Sequence, residues 1–274
     1  MSLLEVPVAS RRRAVQMTVR EKAASNESST VGTLKRSASV LRALEAHPWG
    51  MSLSQLAEAT GLPRSTVHRL LVTMQGEQFV APLTAAGGYR LGSAFVRVAA
   101  SINQWVGTWM RPELLRLSAA IGETVDLAFL VGRQMIFVDQ IVVAHRLQAV
   151  SAIGSGLPLH CTASGKALLQ AMPDEDALAL LERPLARYTP HTIVDEAKLL
   201  EALATGRHTR VAFDREEHHA GICGVAVAFA APFGTLAAIG SPVPTSRFIG
   251  REGELARALV QTHARMLDLM SKQD

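Results

Sequence analysis

The segment from Ser52 to Met74 constrains the fold of this chain more than any other, because it predicts two short helices joined by a glycine turn. Ser52 with Gln55 three residues later is typical of a capping box at a helix N-terminus. Gly61 favours the end of that helix, since glycine readily adopts the left-handed conformation that the turn needs. Pro63 suits the first position of the next helix, where its missing N–H removes no hydrogen bond. The segment therefore has the pattern of a helix-turn-helix.

The second helix of this pair is predicted to have one apolar and one polar face. Its apolar side chains recur at i, i+3, i+4 and i+7, the spacing of a buried stripe, and are Val67, Leu70, Leu71 and Met74. The opposite face and the first turn carry Arg64, Ser65, Thr66, His68 and Arg69. Such side chains hydrogen-bond to base edges and phosphates when a helix enters the major groove. We therefore predict that these residues contact DNA.

The flanking segments favour DNA binding over an ordinary helical hairpin, such as an enzyme could contain. Upstream, a preceding helix is predicted by Leu34, Ala38, Leu41 and Leu44, with Thr33 as its cap and Pro48 after its end. Downstream, residues 79–82 and 88–91 predict two short strands, and Arg90 on the second is expected to touch phosphate. Three helices followed by a hairpin form a winged helix-turn-helix, which is a DNA-binding unit.

Length and charge predict more than one domain and a nucleic-acid partner. The chain has 274 residues, of which 48% are hydrophobic, enough to bury two cores. Residues 1–110 carry a net charge of +6 and residues 111–274 a net charge of −2. The basic part contains the helix-turn-helix, as binding to phosphates requires. We predict a disordered basic arm over residues 1–30, a winged helix-turn-helix over 31–92, a linker helix over 93–110 and a second, sensor-type domain over 111–274.

The chain is expected to work in the cytoplasm. Its two cysteines, Cys161 and Cys223, cannot make a disulfide framework or a four-cysteine zinc site. The N-terminal arginines are not followed by an apolar stretch of signal-peptide length. Residues 220–246 contain no charge, but Pro232, Phe233 and Gly234 interrupt them, so two buried antiparallel strands are expected there and no membrane span.

The C-terminal part is predicted to be an α+β domain with an antiparallel sheet. Strands are predicted over residues 124–130 and 135–141, around Gly132. Helices are predicted over 165–171, 175–182 and 197–205, and a terminal helix is marked by apolar positions from Leu255 to Met270. Hairpins interleaved with helices are typical of sensor domains.

The linker helix has an apolar seam that allows two interpretations. Its members recur every three or four residues and are Phe95, Val98, Ile102, Trp105 and Trp109. The repeat is short and contains Gly107. The helix therefore either packs on its own chain or forms a dimer, which would bring two recognition helices onto neighbouring half-sites.

Several separated motifs resemble those of the IclR family of bacterial transcriptional regulators. They are G-L-P-R-S-T-V-H-R-L-L, Y-R-L-G, G-S-G-L-P-L-H-C-T-A-S-G-K-A-L-L and F-D-R-E-E-H-H-A-G-I-C, in the family's order from about Thr33 to the C-terminus. The resemblance implies a dimer or dimer of dimers that represses or activates transcription. It also implies a C-terminal domain, similar to GAF and PAS sensor folds, that binds a small metabolite. Carried onto this chain, the family's effector contacts are Ala163, Ser164, Asp214, Gly224, Ala238 and Gly240.

The residues around this site indicate the chemistry of the effector. The segment from His160 to Gly165 leads into a helix whose free N–H groups suit a carboxylate, and Cys161, Thr162 and Ser164 can add polar contacts. Cys223 precedes Gly224, where many family members have the cysteine one position later. Ala238 and Gly240 replace the hydroxyl side chains of members that bind small keto acids, so a wider apolar pocket is expected. We predict a carboxylate with an aromatic ring or an apolar chain.

No enzyme, cofactor or metal site is expected. The A-S-G-K-A segment lacks the first glycine of a phosphate loop, and no G-x-S-x-G nucleophile elbow occurs. The side chains from His208 to Cys223 that could bind a metal match no metal-ligand spacing. Two functions remain: a ligand-gated transcription factor, or a DNA-binding protein whose C-terminal domain only oligomerises.

Overall fold

The computed structural model of the chain describes residues 32–83, 87–149, 151–231 and 234–271. The chain divides into two compact units between Ile102 and Asn103. This division falls within the predicted linker helix. The predicted arm over residues 1–30 lies outside the described residues, and the other domain boundaries stay predictions.

The N-terminal unit contains the three helices and the hairpin that the sequence predicts, together with one short strand that it does not. Helix α1 over residues 32–45 is followed by strand β1, Met51–Ser52, and by helices α2, Leu53–Thr60, and α3, Arg64–Gly76. Strands β2, Val80–Leu83, and β3, Gly88–Leu91, form the hairpin. Both β1 and β2 pair antiparallel with β3, in the order β1-β3-β2. The winged helix-turn-helix is confirmed.

The local signals for α2 are confirmed, whereas the predicted cap of α1 is wrong. Gln55 N donates to Ser52 Oγ at 3.3 Å, and Ser52 N donates to Gln55 Oε1 at 2.8 Å, which completes the capping box. Gly61 ends α2 with φ of 66°. Thr33 lies inside α1 because residue 32 is already helical, and Arg36 Nε donates to the carbonyl oxygen of Gly32.

The core of the N-terminal unit is built from the predicted helical stripes. Its fully buried side chains include Val40, Leu56, Val67 and Leu71. Burial of each such side chain contributes about 1.5–3 kcal/mol to folding. The stripe of α3 is thus fixed against α1 and α2, and the opposite face of α3 is left in solvent.

The predicted linker helix changes its geometry partway along. Helix α4, Ala94–Trp105, continues into a π-helical turn, Val106–Met110, and then into helix α5, Arg111–Ile121. Each π turn places an extra residue in the helix, so Trp109 falls out of register with the apolar positions that precede it. The predicted seam is therefore regular only from Phe95 to Trp105.

The C-terminal unit contains a six-stranded, wholly antiparallel sheet, as predicted. Its strands are β4, Val125–Val131; β5, Gln134–Ile141; β6, Gly156–Leu157; β7, Ala212–Arg215; β8, Ile222–Ala231; and β9, Thr235–Pro244. Their order is β6-β5-β4-β9-β8-β7. The uncharged segment from Ala220 to Ser246 forms the β8–β9 pair at the centre of this sheet.

Helices cover both faces of the sheet. Small and branched side chains alternate along β8, so the two faces of the sheet pack against different helices. Gly224, Ala226 and Ala228 lie on one face, and Val225 and Val227 on the other. The small residues permit close approach of helix α6, Ala163–Gln170, whereas the branched residues lie on the side of α5 and of helix α10, Glu252–Ser271. The remaining helices are α7, Asp174–Leu180; α8, Glu196–Thr209; and α9, Thr245–Phe248. No helix among the described residues is long and apolar enough to cross a membrane.

Glycine in α6 is required by the packing of its first turn. A Cβ atom on Gly165 would lie 2.5 Å from both Cα and O of Leu159. We expect Gly165→Ala to destabilise the C-terminal unit by about 1–3 kcal/mol through overpacking. Gly253→Ala in α10 is the matched control, since a Cβ there meets nothing within 4 Å and alanine favours a helix. Thermal unfolding measures both variants, and equal stability of the two would contradict this account.

Candidate DNA-binding face and effector cavity

The predicted DNA-contacting residues lie on the solvent side of α3. Arg64, Ser65, His68 and Arg69 are exposed, and Thr66 is half-buried. The stripe that contains Val67 holds the opposite side of the helix in the core. The helix thus presents hydrogen-bonding groups along its first two turns.

The cationic side chains of this face are free of local acids. Arg64, Arg69 and the exposed Arg90 of β3 form no ion pair with any acid among the described residues. By contrast, several arginines of the C-terminal unit are paired, for example Arg247 with Glu123. Unpaired guanidinium groups remain available to phosphates and to guanine edges.

The C-terminal unit contains a cavity of about 260 Å³ between the sheet, the first turn of α6 and the loop that contains Ser151. We call it the C-terminal cavity. Apolar side chains and glycines make up much of its wall. Its lining residues include Asp126, Met135, Phe137, Ser151, Leu157, Thr162, Asp214, His218, Ile222, Ser241 and Pro242. No lysine or arginine of the described chain lines it.

The structure brings most, but not all, of the predicted effector residues to this cavity. Those that line it are Ala163, Ser164, Asp214, Cys223, Gly224 and Gly240. His160 lines a neighbouring cavity of about 230 Å³ and donates from Nε2 to the carbonyl oxygen of Ala186. Cys161 is fully buried, and Ala238 packs in the core cluster that includes Leu168. The structure therefore places His160, Cys161 and Ala238 outside the walls of the cavity.

The expectation that Gly240 widens the pocket is wrong. A Cβ atom on Gly240 would lie 2.4 Å from Ser164 Oγ, and one on Gly224 would lie 3.0 Å from the Cβ of Ala163. Both glycines accommodate the first turn of α6 on the sheet. They fix where that turn lies and leave no additional room for a ligand.

The first turn of α6 offers partly positive groups to the cavity. Thr162 caps the helix, and its Oγ1 accepts from Gly165 N at 3.2 Å. The N–H groups before that position have no partner within the helix, and the helix dipole concentrates positive potential there. Burial raises the pKa of the Cys161 thiol to about 12, so this cysteine stays neutral. This turn can therefore hold an anion through its N–H groups and hydroxyls.

Two carboxylates in the cavity wall have raised pKa values. Burial raises the pKa of Asp126 to about 6, although Ser151 and Gln140 hydrogen-bond to it. Burial, together with the charge of Glu217, raises the pKa of Asp214 to about 7. Burial also lowers the pKa of His218. Of these three residues, the sequence indicated Asp214 as an effector contact and His218 only as a member of a cluster with no metal-ligand spacing, and it did not indicate Asp126.

An ion pair beside the cavity also escaped the sequence analysis. Lys166 Nζ lies 2.5 Å from Glu217 Oε1, and both residues are buried. Glu217 N donates to Asp214 Oδ1 at 2.7 Å. The ion-pair partners are far apart in sequence, so no local spacing pattern could have revealed them. The pair holds the segment after β7 against α6.

The described residues contain no group of three or more His, Cys, Asp or Glu side chains placed to hold a metal ion. Both cysteines are free thiols. Cys223 lies against Thr245, with Sγ and Oγ1 3.5 Å apart.

Comparison with known proteins identifies the family. Residues 33–83 match the IclR helix-turn-helix domain, and residues 100–269 match the C-terminal domain of bacterial IclR transcriptional regulators. The HTH-type transcriptional regulator Rv1719 of Mycobacterium tuberculosis is 44% identical over 230 residues, which cover 84% of this chain and 89% of that protein. The transcriptional repressor IclR of Escherichia coli is 34% identical, over 79% of this chain and 81% of the repressor. The chain belongs to the IclR family of transcriptional regulators.

Solved structures agree with this assignment. A chain from Silicibacter sp. TM1040, described as an IclR transcriptional regulator, superposes with a TM-score of 0.75 at 27% identity, covering 88% of this chain and 95% of that chain. An IclR homolog from Microbacterium hydrocarbonoxydans, crystallised with 4-hydroxybenzoate, gives a TM-score of 0.67 at 22% identity, over 87% of this chain and 99% of its own. At that identity the second likeness concerns the fold alone.

The raised pKa of Asp126 predicts a pH-dependent loss of stability. The pKa of Asp126 in the folded protein, about 6, exceeds its ordinary value of 3.8. The contribution of protonated Asp126 to the free energy of unfolding is therefore fully present below pH 3.8 and is lost as the pH rises through 6. Asp126→Asn removes the charge. It should raise the unfolding free energy at pH 8 by up to about 3 kcal/mol, and by roughly half as much at pH 5.

Asp139→Asn is the control for this prediction, because Asp139 is also buried but is paired with Arg111. Loss of that ion pair should not stabilise the protein at either pH. Denaturant unfolding at both pH values measures the effect. A destabilised Asp126→Asn variant at pH 8 would refute the assignment of an unfavourable charge at this position.

Proposed function

We propose that this protein is a ligand-gated regulator that binds an operator through α3 and responds to a small carboxylate in the C-terminal cavity. The observation that carries the proposal is the cavity itself, which lies between the sheet and the first turn of α6. Regulation of a metabolic operon from the cytoplasm follows from this activity. The homologues are transcriptional regulators, and we propose no catalytic role.

Three features of the cavity support a small carboxylate with an aromatic or short aliphatic body. The first turn of α6 provides N–H groups for an anion. Met135, Phe137 and Leu157 provide apolar contact for the remainder of the ligand. A volume of about 260 Å³ lies just below the ~300–1,000 Å³ typical of drug-sized ligands, which favours a small molecule.

A C-terminal domain that only oligomerises is the alternative function. Such a domain needs no cavity, and a cavity with buried carboxylates in its wall reduces stability. The cavity therefore favours a sensor. A change in operator affinity upon addition of a ligand distinguishes the two functions.

We expect Arg64 and Arg69 to contact the operator. Arg64→Ala combined with Arg69→Ala should weaken operator binding at least 30-fold, on the order of 1–3 kcal/mol for each arginine, and should reduce its salt dependence. The matched control is Arg187→Ala with Arg257→Ala, which removes the same charge from exposed positions of the C-terminal unit. Gel-shift titration on DNA recovered with the wild-type protein measures both. Equal affinities of the two double variants would refute the proposed face.

We propose that the protein is at least a dimer, because α4 exposes apolar side chains. Val98 is 52% exposed and Val96 is 70% exposed. Val98→Glu should lower the molar mass found by light scattering at micromolar concentration and weaken operator binding, since a palindrome requires two recognition helices. A monomeric wild-type protein that still binds operator tightly would contradict this proposal.

The effector should change operator affinity by about 5- to 150-fold, the usual range of allosteric coupling. Ala152 lies at the exposed rim of the cavity, and Ala152→Phe should block ligand entry without disturbing the core. Ile153→Phe is the control, because Ile153 is exposed and does not line the cavity. Calorimetry with aromatic acids, aliphatic acids, sugars and nucleotides measures binding. Tight binding by a sugar or nucleotide alone would overturn the carboxylate proposal.

A further inference from the structure

We infer that the effector carries a hydroxyl group beside its carboxylate and that Asp126 recognises this hydroxyl. The inference rests on the proposed function of the C-terminal cavity and specifies which carboxylates the cavity selects. It makes Asp126 a specificity-determining residue.

The buried acids of the C-terminal unit separate into two kinds. Glu113, Glu123, Asp139 and Glu217 each form an ion pair with an arginine or a lysine. Asp126 and Asp214 are buried as well, yet neither forms an ion pair with any cation of the described chain. These two acids are the ones that line the cavity. The protein thus pairs its buried carboxylates except where a ligand would meet them.

Asp126 retains hydrogen-bonding capacity on the cavity side. It is 2% exposed, its Oδ1 accepts from Gln140 Nε2 at 2.6 Å, and its Oδ2 accepts from Ser151 Oγ at 2.7 Å. A carboxylate has about four lone-pair sites, so about half of them have no donor from the protein. A buried acceptor gains free energy when a donor completes its hydrogen bonds. A ligand that supplies a donor is therefore favoured.

The surroundings of Asp126 can accommodate a neutral donor next to an anion. In the β4–β9 ladder, Asp126 is the register partner of Gly240, and the Cβ direction of Gly240 meets Ser164 at the start of α6. The positive end of the helix dipole therefore lies close to Asp126, and it favours a carboxylate beside the hydroxyl. A hydroxyl carries no charge and donates one hydrogen bond.

The same geometry permits a single small ligand to reach both the first turn of α6 and the carboxylate of Asp126. Register partners in an antiparallel sheet lie about 4.5–5.5 Å apart at Cα, and Ser164 covers the partner of Asp126. A carboxylate at the first turn of α6 and a hydroxyl at Asp126 are thus separated by a few ångströms. A small hydroxylated aromatic or aliphatic acid has these dimensions.

The test compares acids that differ only in the hydroxyl. Calorimetry at pH 8, where Asp126 is ionised, uses benzoate, 3-hydroxybenzoate and 4-hydroxybenzoate as probes for the wild type, Asp126→Asn and Asp139→Asn. We expect the wild type to bind at least one hydroxybenzoate ten-fold or more tightly than benzoate. Asp126→Asn should reduce this preference to less than three-fold, and Asp139→Asn should retain it.

The other outcomes distinguish failure of this inference from failure of the carboxylate proposal. Equal binding of benzoate and both hydroxybenzoates by the wild type overturns the inference and leaves the carboxylate proposal standing. Binding of phenol without binding of any acid supports the role of Asp126 and overturns the carboxylate proposal. Tighter binding of benzylamine than of the acids overturns both, as does the absence of binding by every probe at millimolar concentration. An unchanged hydroxyl preference in Asp126→Asn also overturns the inference.

Discussion

The close contact between the first turn of α6 and the small-residue face of the sheet is the constraint on which the C-terminal unit depends. Gly165 removes a side chain that would collide with the backbone of Leu159, and Gly240 makes room for Ser164. The contact places the N-terminal end of a helix at the wall of a cavity. Without it, neither the position of the anion-binding groups nor the wall of the cavity would be defined.

Charge distribution in this unit follows from the same contact. Lys166, one turn into α6, is buried and neutralises Glu217, so the helix brings its own cation to the sheet. Asp126 and Asp214 form no ion pair with a described residue and have raised pKa values because they are buried. Residues that lower stability in this way are typical of binding sites. A ligand that supplies the missing hydrogen bonds to these carboxylates therefore gains binding free energy.

The sequence predicts the N-terminal unit better than the site in the C-terminal unit, and the reason is the range of the interactions. The signals of Ser52, Gly61 and the stripe through Val67 are local, so periodicity and capping are sufficient to predict α2 and α3. The strand pair β8–β9 was also predictable, because a charge-free segment is interrupted only at its turn. The predicted cap at Thr33 was wrong because α1 already includes residue 32, whereas the apolar pattern that predicted the helix begins only at Leu34.

The walls of the cavity depend on contacts between distant segments. Family resemblance indicated Ala238 and Gly240 alike, but Ala238 is buried in a core cluster that includes Leu168, whereas Gly240 meets Ser164 at the start of α6. Which of the two residues faces a ligand depends on where the helix crosses the sheet, and spacing along the chain does not contain that information. Asp126 escaped the sequence analysis for the same reason, because its partners Gln140 and Ser151 come from other elements.

Reciprocal linkage between the C-terminal cavity and the operator tests the central claim most directly. The Kd of the tightest-binding acid can be measured by calorimetry for the free protein and for the protein saturated with operator DNA. If occupancy of the cavity controls DNA binding, the ratio of these two Kd values must equal the ratio of operator Kd values with and without the acid. The account predicts equal ratios that differ from one by about 5-fold or more. Identical acid Kd values in the free and operator-bound protein would contradict it.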